Sequence, residues 1–496
     1  MRIALPRWLP VGLVAAACLM WCGTAAATPS PLGAITEYPI PPMGVNTHPS
    51  PGYITVGSDG NLWFSDGGTA TTQGAAGSSV GMVNLGTHAI TEYPIAPPSS
   101  FGNSAVSGIT AGPANDLWFT NDYGVGLLNP ATHATAEYQI TATPSTYTGP
   151  VPQAITAGSD GNLWFTANND AGGAVGMFNP STQAFTLSAI TGSTGNVHPV
   201  VGAIVAGPDG NMWFTDHGTI GAGVGTVNLS THAITQYPLP VSGGGALHGA
   251  FGIARGPDGN IWFTTNCRIG MINVSTHAIV EYAIPTTGGN AHPAPGAIVT
   301  GPGGNLWFAD VGTVPSIGII DPVTHAIVEQ PVPGNAHYPG GIAAAPDGNI
   351  WFTDENANSA IGMITVPQKR PQLSGLRALV RARVVGGRQR AALTVKYRLT
   401  LAAEVALTLQ PVAPGRVVNG HCVASTTAND RHRRCSRPGT PTMSISRPSS
   451  GGAQSFTVTS DNRGRAFAPG LYVLTARPLG GAGRGETRTV HVTVGA

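Results

Sequence analysis

Four aspartates hold the same place relative to a tryptophan. Asp66, Asp216, Asp310 and Asp354 each stand three residues after one, and Glu355 adds a carboxylate beside the last. Five histidines, His48, His198, His248, His292 and His337, stand 14 or 15 residues ahead of a tryptophan, and His217 directly follows Asp216. An imidazole titrates near neutrality and serves as base or metal ligand, while carboxylates suit hard divalent cations. Gathered at one mouth, such groups could hold a divalent cation or run general acid–base chemistry. The competing reading is local: an Asp after a strand caps a turn, and duplication copies residues whether or not they work. Other repeated titratable residues have places of their own. His88, His133, His232, His277 and His325 fall in Thr-His-Ala segments and read as turn chemistry. Asp59, Asp160, Asp209, Asp258 and Asp347 read as hairpin-turn residues, and Glu37, Glu92, Glu137, Glu281 and Glu329 as late-strand residues near a rim.

The elements that position these groups come from an internal repeat. Trp-Phe pairs begin at Trp63, Trp118, Trp164, Trp213, Trp262, Trp307 and Trp351. Around each, the unit reads like Ala203–Gly207, then Pro208-Asp209-Gly210-Asn211, then Met212–Asp216, a variable loop, Val224–Asn228, a turn, and Ala233–Pro238. Asp-Gly-Asn marks a hairpin turn, since Gly and Asn tolerate positive φ. Four short strands per unit, here A to D, predict a propeller blade, and seven pairs predict seven blades. The run Ala34–Ile40 is a D strand with no blade before it, and Ile361–Thr365 is a C strand with no D after it. The first should complete the last blade and close the ring. In this meander the D–A and B–C loops share one face. That face collects the five loop histidines, His217 and the four aspartates, and a small-molecule or cell-wall ligand is expected there, over the channel lined by the A strands.

The chain has 69 Gly and 42 Pro, only 9% charged residues and a formal net charge of +1. This excludes a coiled coil and argues against disorder. The near-neutral sum conceals two halves: residues 28–367 carry two basic residues against 19 acidic ones, and residues 368–496 carry 20 against four. The second half, with alternating runs such as Ala391–Thr400 and Leu471–Ala476, predicts a small immunoglobulin-like β-sandwich. Residues 1–27 read as a signal peptide, with Arg2 and Arg7 before an apolar run and Ala25-Ala26-Ala27 as a cleavage site, so a secreted or extracytoplasmic protein is expected. In that setting Cys422 and Cys435 read as a disulfide. No nucleic-acid partner and no stable membrane insertion are expected. The expected form is a monomer whose acidic propeller and basic sandwich attract each other.

The unit Gly-Pro-Asp-Gly-Asn-x-Trp-Phe-Thr-Asp, followed by Ile/Val-Gly and Ile-Thr-Glu-Tyr-Pro-Ile-Pro, resembles the repeat of the streptogramin lyase (virginiamycin B lyase) family over Leu32–Val366. The resemblance implies a Mg²⁺-assisted carbon–oxygen lyase that linearises a cyclic depsipeptide antibiotic by elimination. The family's motif histidine, eleven residues before the Trp, is absent: those positions are Gly52, Ser107, Gln153, Gly202, Phe251, Gly296 and Gly340. Its metal-binding Glu corresponds to Asp66, Asp216, Asp310 or Asp354. Two functions follow. One is a lyase with His292, His337 or His248 as acid–base group and Asp310, Asp354, Glu355 and Asp66 around Mg²⁺ or another divalent cation, with His48, His198, His217 and Asp216 as further ligands on that face. The other, favoured by the missing histidine, is a non-catalytic propeller, with or without a cation, that binds a glycan, peptide or cell-wall component.

Overall fold

The computed structural model describes residues 32–42, 49–68, 78–95, 105–140, 149–170, 172–190, 199–218, 221–240, 249–286, 289–334, 337–355, 359–366, 372–385, 388–399, 403–419, 421–449, 452–480, 483–484 and 486–494. Residues 1–27, read from the sequence as a signal peptide, and His48, His198 and His248 lie outside them. The chain divides into two compact units, Met1–Val366 and Pro367–Ala496.

Seven four-stranded antiparallel sheets form the first unit. Blade 4 is representative, with strand A at Val201–Ala206, B at Met212–Asp216, C at Gly223–Val227 and D at Ile234–Pro238. Successive A strands contact one another in an unbroken cycle that returns from blade 7 to blade 1. Blade 7 takes its D strand from the other end of the sequence: Ile35–Pro39 pairs antiparallel with Ala360–Ile364, Glu37 opposite Gly362. The expected ring closure is therefore present.

The Trp-Phe pair builds the core because neighbouring strand residues face opposite ways. Trp351 of blade 7 packs with Leu62, Phe64 and Val83 of blade 1. Trp213 of blade 4 likewise packs with Ile253, Ile261 and Phe263 of blade 5. Each inter-blade layer thus joins one blade's Trp to the next blade's Phe, and most of these rings are fully buried. The Phe also dictates the glycine of strand C. A Cβ on Gly225 would sit 2.2 Å from Phe214 Cζ.

Polar repeats fasten this stack. In blade 4 the turn residue Asp209 accepts from Asn211 N at 3.2 Å and from the buried Trp213 Nε1 at 3.0 Å. In five blades the Thr after Trp-Phe reaches across to the next blade: Thr166 Oγ1 donates to Gly202 O, Thr215 to Phe251 O, Thr264 to Gly296 O and Thr353 to Gly52 O, each at 2.7 Å, and Thr120 donates to Gln153 O. The Thr-His-Ala histidines occupy the left-handed region, with φ of 55–60°. Three of them also stack on the D-strand Tyr of the preceding blade, as His133 does on Tyr93 with centroids 4.2 Å apart, and His88 packs tilted against Tyr38. That inter-blade contact was not visible in the repeat.

In the second unit, Leu373–Val385, Arg388–Leu399 and Gly452–Val458 form a three-stranded sheet. A seven-stranded sheet centres on Ala403–Val418. Leu393, Val395 and Tyr397 from the first meet Val405, Leu407, Leu409 and Leu474 from the second in one core, so the unit is a β-sandwich. Cys422 and Cys435 are joined in a disulfide, Cα atoms 6.0 Å apart. Cys267 is buried and outside any disulfide.

Candidate functional site

In four blades an aspartate three residues after the Trp ends strand B and turns inward. Asp66, Asp216, Asp310 and Asp354 are 0–1% exposed. One carboxylate oxygen of each accepts an amide from the D–A loop: Ser50 N at 2.7 Å, Val200 N at 3.0 Å, Ala294 N at 2.8 Å and Tyr338 N at 2.6 Å. In three blades the same oxygen also accepts the amide two residues on, as from Gly68 at 2.9 Å. These carboxylates clasp the D–A loop to the B–C loop, burying a set that the sequence places around an open mouth.

Their second oxygens face a group that sequence reasoning assigns to the rim. Strand alternation puts Glu37 on the same face of blade 7 as Gly362, Phe352 and Asp354. The D-strand glutamates therefore project into the blade beside the aspartates, and parity along the strand was the overlooked signal. In blade 6, Asn290 Nδ2 lies 3.4 Å from Asp310 Oδ2 and 3.2 Å from Glu329 Oε2. Burial, then the charge of Asp310, pushes Glu329 up to about 9, and burial raises Asp310 as well, so this pair shares a proton. In blade 1, burial and the hydrogen bond to Asp66 push Glu92 up to about 8. In blade 4 a neutral Gln236 donates to Asp216 Oδ2 at 3.1 Å instead.

Blade 7 differs by adding an imidazole. His337 Nδ1 lies 2.5 Å from Asp354 Oδ2 and 3.2 Å from Glu37 Oε1. A nitrogen facing two carboxylates carries its proton, and the shorter contact receives it. The 3.2 Å approach to Glu37 is an ion pair without hydrogen-bond geometry. Burial works to lower the His337 pKa, but the hydrogen bond to Asp354 and the charges of Asp354 and Glu37 outweigh burial and raise that pKa. Burial, then a hydrogen bond to Asp354, pushes Glu37 up to about 7, against the pull of His337. Among the described residues this is the one set of three side chains whose ligand atoms converge as a metal would require, all within 4.8 Å.

The remaining candidates stay separate from this trio. Glu355 is exposed, and its Oε1 accepts from Ser50 Oγ at 2.5 Å. The half-buried His292 has no hydrogen-bond partner at Nδ1 among the described residues. His217 stacks on Phe251, centroids 5.4 Å apart, and its buried Nδ1 also lacks a partner there. Burial pushes its pKa down to about 4, so the ring is neutral. A Cβ on Gly202 would lie 3.5 Å from that Nδ1. The B–C loop thus sets an imidazole over one of the positions where the motif histidine is missing.

These features define a seven-bladed β-propeller whose loop face carries buried acid pairs and a half-buried neutral imidazole. The Virginiamycin B lyase family matches residues 30–244 and 138–371, and the chain belongs to that family. Among solved structures it is similar to a streptogramin B lyase, at 26% identity and TM-score 0.53, over 67% of this chain and 98% of that one. It is similar also to virginiamycin B lyase from Staphylococcus aureus, at 25% identity and TM-score 0.54, over 67% and 99%. The extracellular domain of a one component system from B. thetaiotaomicron shares the fold at 12% identity and TM-score 0.50, over 95% and 59%. No curated protein matches the chain.

Proposed function

We propose that this propeller is a binding member of its lyase family, holding a peptide or cell-wall component over the channel mouth without cleaving it. The observation that supports this is the state of the two catalytic positions. Four of the seven motif-histidine positions are glycine, and the carboxylates at the metal position are spent on loop amides. Phe251 and the stacked His217 offer an aromatic, neutral surface to a ligand there. The disulfide in the sandwich unit suits an extracytoplasmic setting. Among the described residues no helix is long and apolar enough to cross a membrane.

Mg²⁺ requires near-octahedral oxygen ligation and retains waters. The blade 7 trio offers one nitrogen and two oxygens, and the His337 nitrogen is already hydrogen-bonded to Asp354 at 2.5 Å. That set does not fit Mg²⁺; a borderline ion such as Zn²⁺ matches its donors, in competition with the proton. A second reading, a carbon–oxygen lyase, draws on His217. A neutral imidazole is fit to take an α-proton while the β-carbon–oxygen bond breaks.

Incubation with a cyclic depsipeptide of the type B streptogramin class, with and without divalent cation and chelator, separates the readings. Elimination adds no water, so the ring-opened product has the mass of the substrate and must be resolved by chromatography. Unchanged depsipeptide, with binding of peptidoglycan fragments that Phe251→Ala weakens, is the expected result. A ring-opened isomer in either condition overturns the binding reading.

A further inference from the structure

The three-stranded sheet of the sandwich unit turns one face to its core and leaves the other to solvent. Leu376, Ala378 and Val380 point inward with Leu393, Val395 and Tyr397. Alternation sends Arg377, Leu379 and Arg381 outward on the first strand, and Thr394, Lys396 and Arg398 outward on the second. All but the half-buried Thr394 are exposed, Leu379 to 50%.

The register fixes rows across this face. Arg377 stands directly opposite Lys396, which stands opposite Ser455. The next row is Leu379, Thr394 and Thr457, with the two threonine hydroxyls 3.0 Å apart. Arg398, beside Ala453, flanks the charged row on one side, and Arg381 lies beyond the neutral row on the other. Like charges directly opposite on paired strands destabilise a sheet. The unit has four acids, and none of them opposes these cations. Asp430 pairs with Arg416, Asp461 with Arg465 and Glu486 with Arg488, while Glu404 accepts from Ser446.

We propose that this face binds an acidic polysaccharide, a polyuronate chain lying along the strands. Charge complementarity calls for a polymer of repeated anions. Guanidinium forks match planar carboxylates. The neutral row decides for a sugar over a bare polyphosphate, because an exposed leucine next to two hydroxyls suits a ring with one apolar face and hydrogen-bonding edges. The site lies wholly within the sandwich unit and stands apart from the propeller reading.

The test uses the full-length chain and polygalacturonate, with fully methyl-esterified polygalacturonate and polyphosphate as comparators. Polygalacturonate should bind, more weakly as salt rises, and the ester should not. The triple substitution Arg377→Gln, Lys396→Gln, Arg398→Gln should weaken binding by roughly tenfold or more, the sum of three exposed ion pairs. Leu379→Ser should weaken polygalacturonate binding and leave any polyphosphate binding unchanged. All substitutions are on the solvent face, and unchanged thermal unfolding verifies their folding. Absence of polygalacturonate binding, equal binding of the ester, tighter binding of polyphosphate, or wild-type affinity in the triple variant would each overturn the proposal.

Discussion

Glu37, on the first strand of the described propeller, lies 3.2 Å from His337 in a loop of its last blade. Main-chain pairing closes the ring, and this contact adds a charge interaction to that closure. Glu37→Gln also removes a carboxylate whose pKa burial pushes up to about 7, so the contact is read from coupling and not from the single substitution. A double-mutant cycle with His337→Gln should give a coupling of about 1 kcal/mol or less, the range for a partly exposed pair. Strict additivity of the two substitutions would show that the contact does not fasten the ring.

The acid pairs predict an inverted pH dependence. Glu37, Glu92 and Glu329 have folded pKa values of about 7, 8 and 9 against an ordinary 4.5. As pH climbs from 4.5 through those values, the unfolded chain gives up protons that the folded chain keeps, so stability falls. His337 acts in the same direction: its raised pKa contributes stability that is complete below about 6.5 and lost as pH passes the folded value. Asp321, held low by the Thr324 amide, and His217, pushed down to about 4 by burial, act oppositely, the first only at the acid end and the second only below about pH 6.5. The propeller should therefore unfold at a lower temperature at pH 9 than at pH 5. Glu329→Gln should recover about 2–4 °C at pH 9, the equivalent of ~1 kcal/mol. A stability that rises steadily from pH 5 to pH 9 would contradict this.

Blade 6 lacks a staple that blades 1, 3, 4, 5 and 7 possess. Where blade 4 has Asp209, blade 6 has Gly303, and the buried Trp307 Nε1 has no acceptor among the described residues. Gly303→Asp should bring little net gain, because Gly303 has a φ of +77°, where a side chain costs about 1 kcal/mol and offsets the new hydrogen bond. Asp209→Ala should cost about 1–3 kcal/mol by orphaning Trp213. Chemical denaturation of the two variants checks both.

Gly225 should resist even the smallest enlargement. Its missing side chain leaves room for Phe214, and Gly225→Ala should cost about 1–3 kcal/mol through overpacking. Gly210→Ala tests a different cause, because nothing lies within 4 Å of its added Cβ. Its φ of +82° alone should make it unfavourable, by about 1 kcal/mol. Melting temperatures of the pair separate crowding from backbone strain.

The ring was legible because its signals are local and repeated: Asp-Gly-Asn specifies a hairpin, Trp-Phe a buried strand, and the leading Ile-Thr-Glu-Tyr-Pro a D strand without a blade. The site was less so. Asp354 was recognised as a carboxylate on the loop face, but its burial depends on a loop amide sixteen residues back, which no spacing rule contains. Glu37 was assigned to the rim because position along a strand was weighed without parity across it. His217 was placed on the correct loop, yet its neutrality follows from Phe251 in the next blade. In the sandwich, the strand at Leu373–Val385 went unread although its arginines fit the alternation, because Leu379 stands on the outward side among them.

The threonine reach from blade to blade runs from blade 2 to blade 6 and again from blade 7 to blade 1. It fails twice, where Ala309 has no hydroxyl and where Ser65 turns back to Tyr53 of its own blade. The wheel is thus a five-blade arc plus a two-blade keystone. Ile35–Pro39 and the last strand of the propeller both lie in the keystone. Under load, or early in unfolding, the seams between blades 6 and 7 and between blades 1 and 2 are where the wheel should part.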